Sequence, residues 1–524
     1  MKPTIFFLIN SIDLIRGGLT KASLKQASFF SEMGYETYML TFNFNPRYPI
    51  IRQKLIDLNK IDENVVIRNM YEELEGYEKP LFTEDPPKKA SLEILSEGLP
   101  LDKRSGYNAY RVYDNGIYSK YLSLNDNGVL DFIDYFNENR YRTKREEYDP
   151  WGNLKKVSFM DINSNKPRQL IYYNKNNKAF LSQWNDPSNE KVKRIVLFDK
   201  NNSIKTSYVN DNLSHKIDWL TDIINNTNND RCIIVSDTRS TDEVLVNFNH
   251  QKAAKIWRLH SSHLDAPYTR DANITSKTAI GVNNIDAFDL ALFLTEEQQM
   301  DFKARFSGNT PLSVVPHYHE INKQRGFDKL KPLLSPSIKK DSNVAIIVSR
   351  LSTLKRIDHA IKAFQIVVNR VPSAKLEIWG TGDELSNLKE LINQLNLDNN
   401  VLLKGYTQNP DEVYQKGLFS IMTSKKEGFA LSVLESMYNC TPVISYNIKY
   451  GPTDMIVSND NGFIVENENI QELADKMIYM FDNPKETMVM GKNANKYINK
   501  HFNKDIYKQQ WLEALDIAMK NKFN

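Results

Sequence analysis

The run VAIIVSRLSTLKRIDHAIKAFQIVV, residues 344–368, decides the fold. Residues 344–348 are apolar without a break, as expected of a strand buried on both faces of a parallel sheet. A polar loop follows, and apolar residues return at helical spacing over about 357–367. The alternation continues downstream. Strands are expected at 375–378, 401–403, 419–422 and 442–445, and helices at about 384–395 and 431–439. Strands alternating with helices in this way predict a Rossmann-like parallel sheet.

The N-terminus repeats the theme. Residues 4–9 form an apolar run, Gly17-Gly18 follows a polar loop, and a helix-like segment over 20–33 is stopped by Gly34. Residues 38–42 supply the next strand. From about 80 to 205 the pattern changes to short alternating runs separated by turn residues. Asp114-Asn115-Gly116, Asp126-Asn127-Gly128, Asp149-Pro150-Trp151-Gly152 and Asn174-Lys175-Asn176-Asn177 are such turns, and 156–160 and 194–198 fit strands between them. An antiparallel β-rich insertion is expected there. Helical and buried-strand patterns resume near 217–220, 232–235 and 291–293, and Pro332 and Pro336 mark a linker ending near Asp341. The expected division is a first Rossmann-like part at 1–80, the insertion at 81–205, a second Rossmann-like part at 206–325, a C-terminal Rossmann-like domain at 326–505 and a terminal helix at 506–524.

Composition bounds the function. At 524 residues the chain exceeds the ~250–300 at which a single core stops growing, so about three domains are expected. A hydrophobic content of 41% and charged content of 25% exclude wholesale disorder. The net charge of +3 is too balanced for a general nucleic-acid binder. No apolar stretch approaches the ~20 residues that span a bilayer, and the short apolar run after Met1-Lys2-Pro3 lacks a cleavage site. The two cysteines, Cys232 and Cys440, show no metal spacing. A cytoplasmic protein is expected, with no metal and at most peripheral contact with the inner face of the membrane.

Five constellations carry chemistry. Glu427 and Glu435 stand eight positions apart across a loop-to-helix junction, about 12 Å on one face if wholly helical. That exceeds the ~5 Å or ~6.5–9.5 Å of a glycosidase carboxylate pair, so they fit hydroxyl recognition at two ends of one ligand. Arg350 and Lys355 follow a strand end, where a guanidinium fork and an ammonium can hold a diphosphate, aided by a helix expected to start after Ser424. Gly17 and Gly18 can admit close backbone approach to a ligand. His260 and His263, within Leu259-His260-Ser261-Ser262-His263, place imidazoles near a strand's carboxyl end. Gly380-Thr381-Gly382 and Gly405-Tyr406 are loops at sheet ends able to wall a nucleotide base.

Arg350, Lys355, Gly380-Thr381-Gly382 and Glu427 with Glu435, behind an N-terminal Gly-Gly loop, resemble the retaining GT-B glycosyltransferases of family 4. The resemblance implies two Rossmann-like domains facing a cleft that holds a nucleotide-sugar donor as substrate, without a cofactor. By the family pattern Gly17, Gly18, Arg350, Lys355, Gly380, Gly382, Tyr406, Glu427, Gly428, Phe429, Ala430, Leu431 and Glu435 serve the donor. Arg350 and Lys355 would take the diphosphate, Glu427 the transferred sugar and Glu435 the ribose. A histidine near the reacting sugar would be His263, with His260 as the alternative. Two departures bear on loop shape: Lys426 directly before the first glutamate, and Arg356 where a glycine usually follows the lysine.

With its β insertion and Gly17-Gly18-Leu19-Thr20 opening, the chain resembles the poly(glycerol-phosphate) α-glucosyltransferases of wall teichoic acid synthesis. It is also similar to the poly(ribitol-phosphate) α-N-acetylglucosaminyltransferases and to the transferases that start O-glycans on serine-rich adhesins. The resemblance implies UDP-glucose as donor, a polyanionic teichoic acid as acceptor and a homo-oligomer formed through the insertion. Arg140, Arg142, Lys144 and Arg145 lie inside the insertion and either contact acceptor phosphates or pair with Glu146 and Glu147 on a solvated strand face. Other readings are a sugar-nucleotide 2-epimerase, against which the insertion argues, and a non-catalytic partner subunit of a glycosyltransferase, which a lack of nucleotide binding would favour.

Overall fold

The computed structural model describes residues 2–14, 18–82, 86–306, 308–319 and 340–524. The expected linker prolines and Gly17 lie outside the described residues. The chain divides into two units, Met1–Lys255 and Ile256–Asn524.

In the first unit the strand Thr4–Ile9 pairs in parallel with Thr37–Thr41 on one side and Cys232–Ser236 on the other, with Val66–Asn69 beyond Thr37–Thr41. Thr4–Ile9 and Cys232–Ser236 are buried throughout, as their apolar sequences require. The helix Gly18–Glu32 packs Phe30 against Phe7 of the first strand, with ring centroids 5.7 Å apart. Gly34, at φ 77°, supplies the left-handed turn that follows the helix.

The insertion is a ten-stranded antiparallel meander running from Leu101–Lys103 to Ile204–Val209, each strand hydrogen-bonded to the next in sequence. Asn115 and Gly116, at φ 46° and 82°, make the tight turn between strands that pair Asp114 with Ile117. The last strand crosses residue 205, where the sequence reading ended the insertion. It is an edge strand with exposed and half-buried positions, so it lacks the apolar alternation that reveals inner strands. Leu170, Leu181 and Ile195 of the sheet pack against Phe44, Tyr71 and Leu74, and this anchors the insertion to the parallel sheet of its own unit.

In the second unit, Ala253–Arg258 continues into a parallel group with Leu290–Phe293 and Leu312–Val314. A six-stranded parallel sheet has the order Val401–Gly405, Lys375–Trp379, Asp341–Val348, Gly417–Met422, Val443–Tyr446, Gly462–Val465. The helix Ile357–Arg370 turns Ile357, Ala360, Ile361, Phe364 and Val367 into its core, the face expected from their spacing. The terminal helix Lys504–Phe523 returns to the Ala253–Arg258 group: the Arg258 guanidinium lies 5.1 Å from the Trp511 ring, and the Tyr318 and Tyr507 ring centroids are 4.7 Å apart. Among the described residues no helix is long and apolar enough to cross a membrane.

Candidate active site

The loop leaving the central strand Asp341–Val348 carries Arg350 and Lys355. Its path is set by the neighbouring glycine loop. A Cβ on Gly380 would stand 1.8 Å from the Ser349 carbonyl oxygen, and one on Gly382 would stand 2.1 Å from that of Leu351. Only glycine permits this backbone approach. Leu351 N–H donates to Thr381 O at 2.9 Å and Gly380 N–H to Gly405 O at 2.7 Å, locking the arrangement. Arg350 is exposed, and among the described residues its guanidinium forms no ion pair. Tyr406, beside this loop, is 56% exposed.

The Glu427 loop is stitched to the same segment. Thr423 Oγ1 donates to Lys355 O at 2.9 Å and Lys425 N–H to Leu354 O at 2.8 Å. The Lys355 ammonium forms an ion pair with Glu427 Oε1, and Ser424 Oγ donates to the same oxygen at 2.6 Å. Glu427 N–H donates to Lys449 O, and Glu427 O accepts from Tyr450 N–H, both at 3.0 Å. Lys426, the unusual residue beside it, points elsewhere, donating to Leu264 O at 3.3 Å.

The helix starts at Leu431, as expected for 431–439 and not directly after Ser424, and Ala430 before it adopts a left-handed φ of 66°. Glu427 therefore lies in the loop and Glu435 in the helix, so the separation estimated for a continuous helix does not apply. Glu435 is half-buried beside Asp411 and the buried Tyr414, whose hydroxyl pKa is raised by burial and then by these two acids.

Gly428 closes the site against the histidine segment. A Cβ there would meet His260 O at 2.1 Å and Ser261 Cα at 2.8 Å. The half-buried His260 ring stacks on His317 with centroids 5.5 Å apart, and His317 meets Phe429 edge-on at 5.5 Å. His263 is placed differently. Its ring is wholly buried, parallel to Tyr450 and edge-on to Phe302, and burial pushes its pKa down to about 4 against the opposing charge of Asp301. The His263 ring thus lies enclosed among aromatic rings, whereas the His260 ring is half open and its main chain abuts Gly428. His317 escaped the sequence reading. Its one signal, Pro316-His317-Tyr318-His319 after the strand Leu312–Val314, repeats the pattern of imidazoles beyond a strand end. His319 is held by Asp411, Nε2 to Oδ1 at 2.8 Å.

In the first unit the basic run is largely neutralised. Arg145 forms a fork with Asp134, two contacts of 2.7 Å across the strand pair, and Arg142 reaches the same carboxylate at 3.5 Å. Lys144 pairs with Glu146 at 2.7 Å, and Arg140 lies 5.6 Å from the Tyr118 ring. Asp134 is the partner in these pairs that sequence proximity hid. Gly18 opens its helix. Among the described residues no group of three or more His, Cys, Asp or Glu side chains is arranged to hold a metal ion.

Residues 334–497 match the family described as glycosyl transferases group 1. Over 526 aligned residues the chain is 27% identical to the poly(glycerol-phosphate) alpha-glucosyltransferase of Bacillus subtilis (strain 168), covering 98% of this chain and 74% of that one. It is 24% identical over 518 residues to the poly(ribitol-phosphate) alpha-N-acetylglucosaminyltransferase of Staphylococcus aureus (strain COL), covering 98% and 99%. Its fold is similar to that of a variant of S. aureus TarM crystallised with fondaparinux, α-GlcNAc-glycerol and UDP. The TM-score is 0.82 at 22% identity, over 98% of this chain and all of that one. The fold is of the GT-B type, and residues 334–497 form a glycosyl transferases group 1 domain. That domain contains Arg350, Lys355, Glu427 and Glu435.

Proposed function

We propose that the chain is a retaining transferase that moves glucose from UDP-glucose to hydroxyls of poly(glycerol phosphate), forming an α-linkage. The observation that carries this reading is the convergence of the Arg350–Lys355 loop, the Glu427 loop and His260 within one unit. The glucosyltransferase likeness across 98% of the chain supports the donor and the polymer.

Arg350 and Lys355 take the donor diphosphate, whose negative charge grows as the glycosidic C–O bond breaks. Preorganised cations stabilise that charge more in the transition state than in the ground state, which lowers the barrier. The main-chain amides of Gly428 to Leu431 add to them, Glu427 binds hydroxyls of the sugar, and Glu435 binds the ribose. His260 lies beside the transferring sugar. The acceptor hydroxyl attacks from the face that the diphosphate leaves, its proton passing to the departing phosphate oxygen. These cations do the work of a metal ion, so EDTA leaves turnover unchanged.

The S. aureus likeness, which spans 99% of that enzyme, favours a second reading: transfer of N-acetylglucosamine to poly(ribitol phosphate). UDP release from UDP-glucose and UDP-N-acetylglucosamine, each offered glycerol and ribitol polymers and a Ser/Thr-rich adhesin peptide, separates the readings. Release that requires UDP-glucose and the glycerol polymer supports the first. Release on another pairing replaces it. No release, with calorimetry detecting no nucleotide binding, identifies a non-catalytic partner.

A further inference from the structure

We infer that Arg356, directly after the diphosphate lysine, is a positioning residue that holds Lys355 and Glu427 in register. The inference rests on the roles proposed above for those two residues.

Arg356 adopts a left-handed φ of 45°, a conformation that favours glycine. Its side chain is 5% exposed. Nε donates to Thr423 O at 2.9 Å, and Nη2 donates to Ser424 O at 2.7 Å and to Asn467 Oδ1 at 2.6 Å. Nη1 pairs with Glu468 Oε1 at 2.5 Å, and the guanidinium lies 5.1 Å from the Tyr446 ring. One planar fork therefore joins three loops, which follow the strands Asp341–Val348, Gly417–Met422 and Gly462–Val465.

The path to the chemistry is short. Arg356 fixes the Ser424 carbonyl, the Ser424 hydroxyl donates to Glu427 Oε1, and Lys355, one residue before Arg356, pairs with that oxygen. Glycine at 356 would satisfy the backbone and leave both carbonyls without this donor. Lysine, with a single ammonium, cannot reproduce the fork. Loosening the two loops relative to each other misplaces groups that must act together, and a misplacement near 1 Å costs about a hundredfold in rate.

The test compares Arg356→Gly and Arg356→Lys with the wild type, measuring kcat, KM for UDP-glucose and UDP-N-acetylglucosamine, and the thermal midpoint, with and without millimolar guanidinium. Arg356→Gly should lower kcat/KM by about 10- to 100-fold. Guanidinium should restore part of that loss, and Arg356→Lys should not rescue it. The Asn467→Ala/Glu468→Ala double variant, at exposed positions that spare the core, should lower kcat/KM several-fold with an unchanged midpoint. Near-wild-type kcat/KM in Arg356→Gly or in the double variant overturns the inference, as does a loss that guanidinium leaves untouched. Lys355→Ala is assayed alongside. Full activity there removes the parent reading, whereas an inactive Lys355→Ala beside an unaffected Arg356→Gly removes this inference alone.

Discussion

Lys355 and Glu427, 72 residues apart in sequence, are ion-paired at one carboxylate oxygen that also accepts from Ser424 Oγ at 2.6 Å. In the proposed reaction these side chains take opposite parts of the donor, the cation its diphosphate and the acid its sugar. Their pairing keeps both partly buried groups neutralised until a donor engages them, and a donor must exchange this contact for its own.

Lys355→Ala and Glu427→Ala should each lower transfer by about 100-fold or more, the usual loss when a transition-state contact is removed, while circular dichroism stays unchanged. Turnover near the wild-type value in either variant discards the proposed donor site.

Gly428→Ala should lose most activity. A Cβ there would lie 2.1 Å from His260 O, a backbone atom that cannot swing aside as a side chain can, so the Glu427 loop must move away. Activity and a melting point equal to those of the wild type would show that the loop tolerates the displacement.

His260→Ala should lower kcat, whereas His263→Phe should keep most turnover and alter acid stability instead. Burial holds His263 at about 4, below its ordinary 6.5. As pH falls below 6.5 the unfolded chain takes up a proton that the folded ring refuses, so stability falls toward pH 4 and levels off beneath it. The loss is about 3 kcal/mol over that window, and His263→Phe should abolish it. Urea denaturation at pH 7 and pH 4.5 measures the difference, and an unchanged slope in His263→Phe would refute the assignment.

Arg145→Ala should act on stability before acceptor affinity. It leaves the buried Asp134 carboxylate with Arg142 at 3.5 Å as its remaining ion-pair partner, at a cost of about 1–3 kcal/mol. A lowered thermal midpoint with unchanged KM for the glycerol polymer is the expected result. An unchanged midpoint with a raised KM would return Arg145 to the acceptor.

The run 344–368 was legible because a strand buried on both faces and a one-faced helix have distinct apolar periods, and nothing distant alters either. The turn Asn115-Gly116 and the stop at Gly34 were legible for a related reason, since positive φ is a local demand. The start of the helix Leu431–Tyr438 was legible too, but the path of the loop before it was hidden, because main-chain contacts with Lys449 and Tyr450 set it.

Sequence by itself determined the parallel α/β series and the antiparallel insertion, which rest on local periodicity, and it supplied Arg350, Lys355, Glu427 and Glu435 as candidates from their motif. Tertiary structure decided that the His260 main chain abuts Gly428 while the His263 ring is enclosed, that Asp134 neutralises Arg145, and that Arg356 ties three loops together. The physical reason is that burial and hydrogen-bond partnership are made by segments far apart along the chain. Two imidazoles three residues apart look alike until packing encloses one and leaves the other half open.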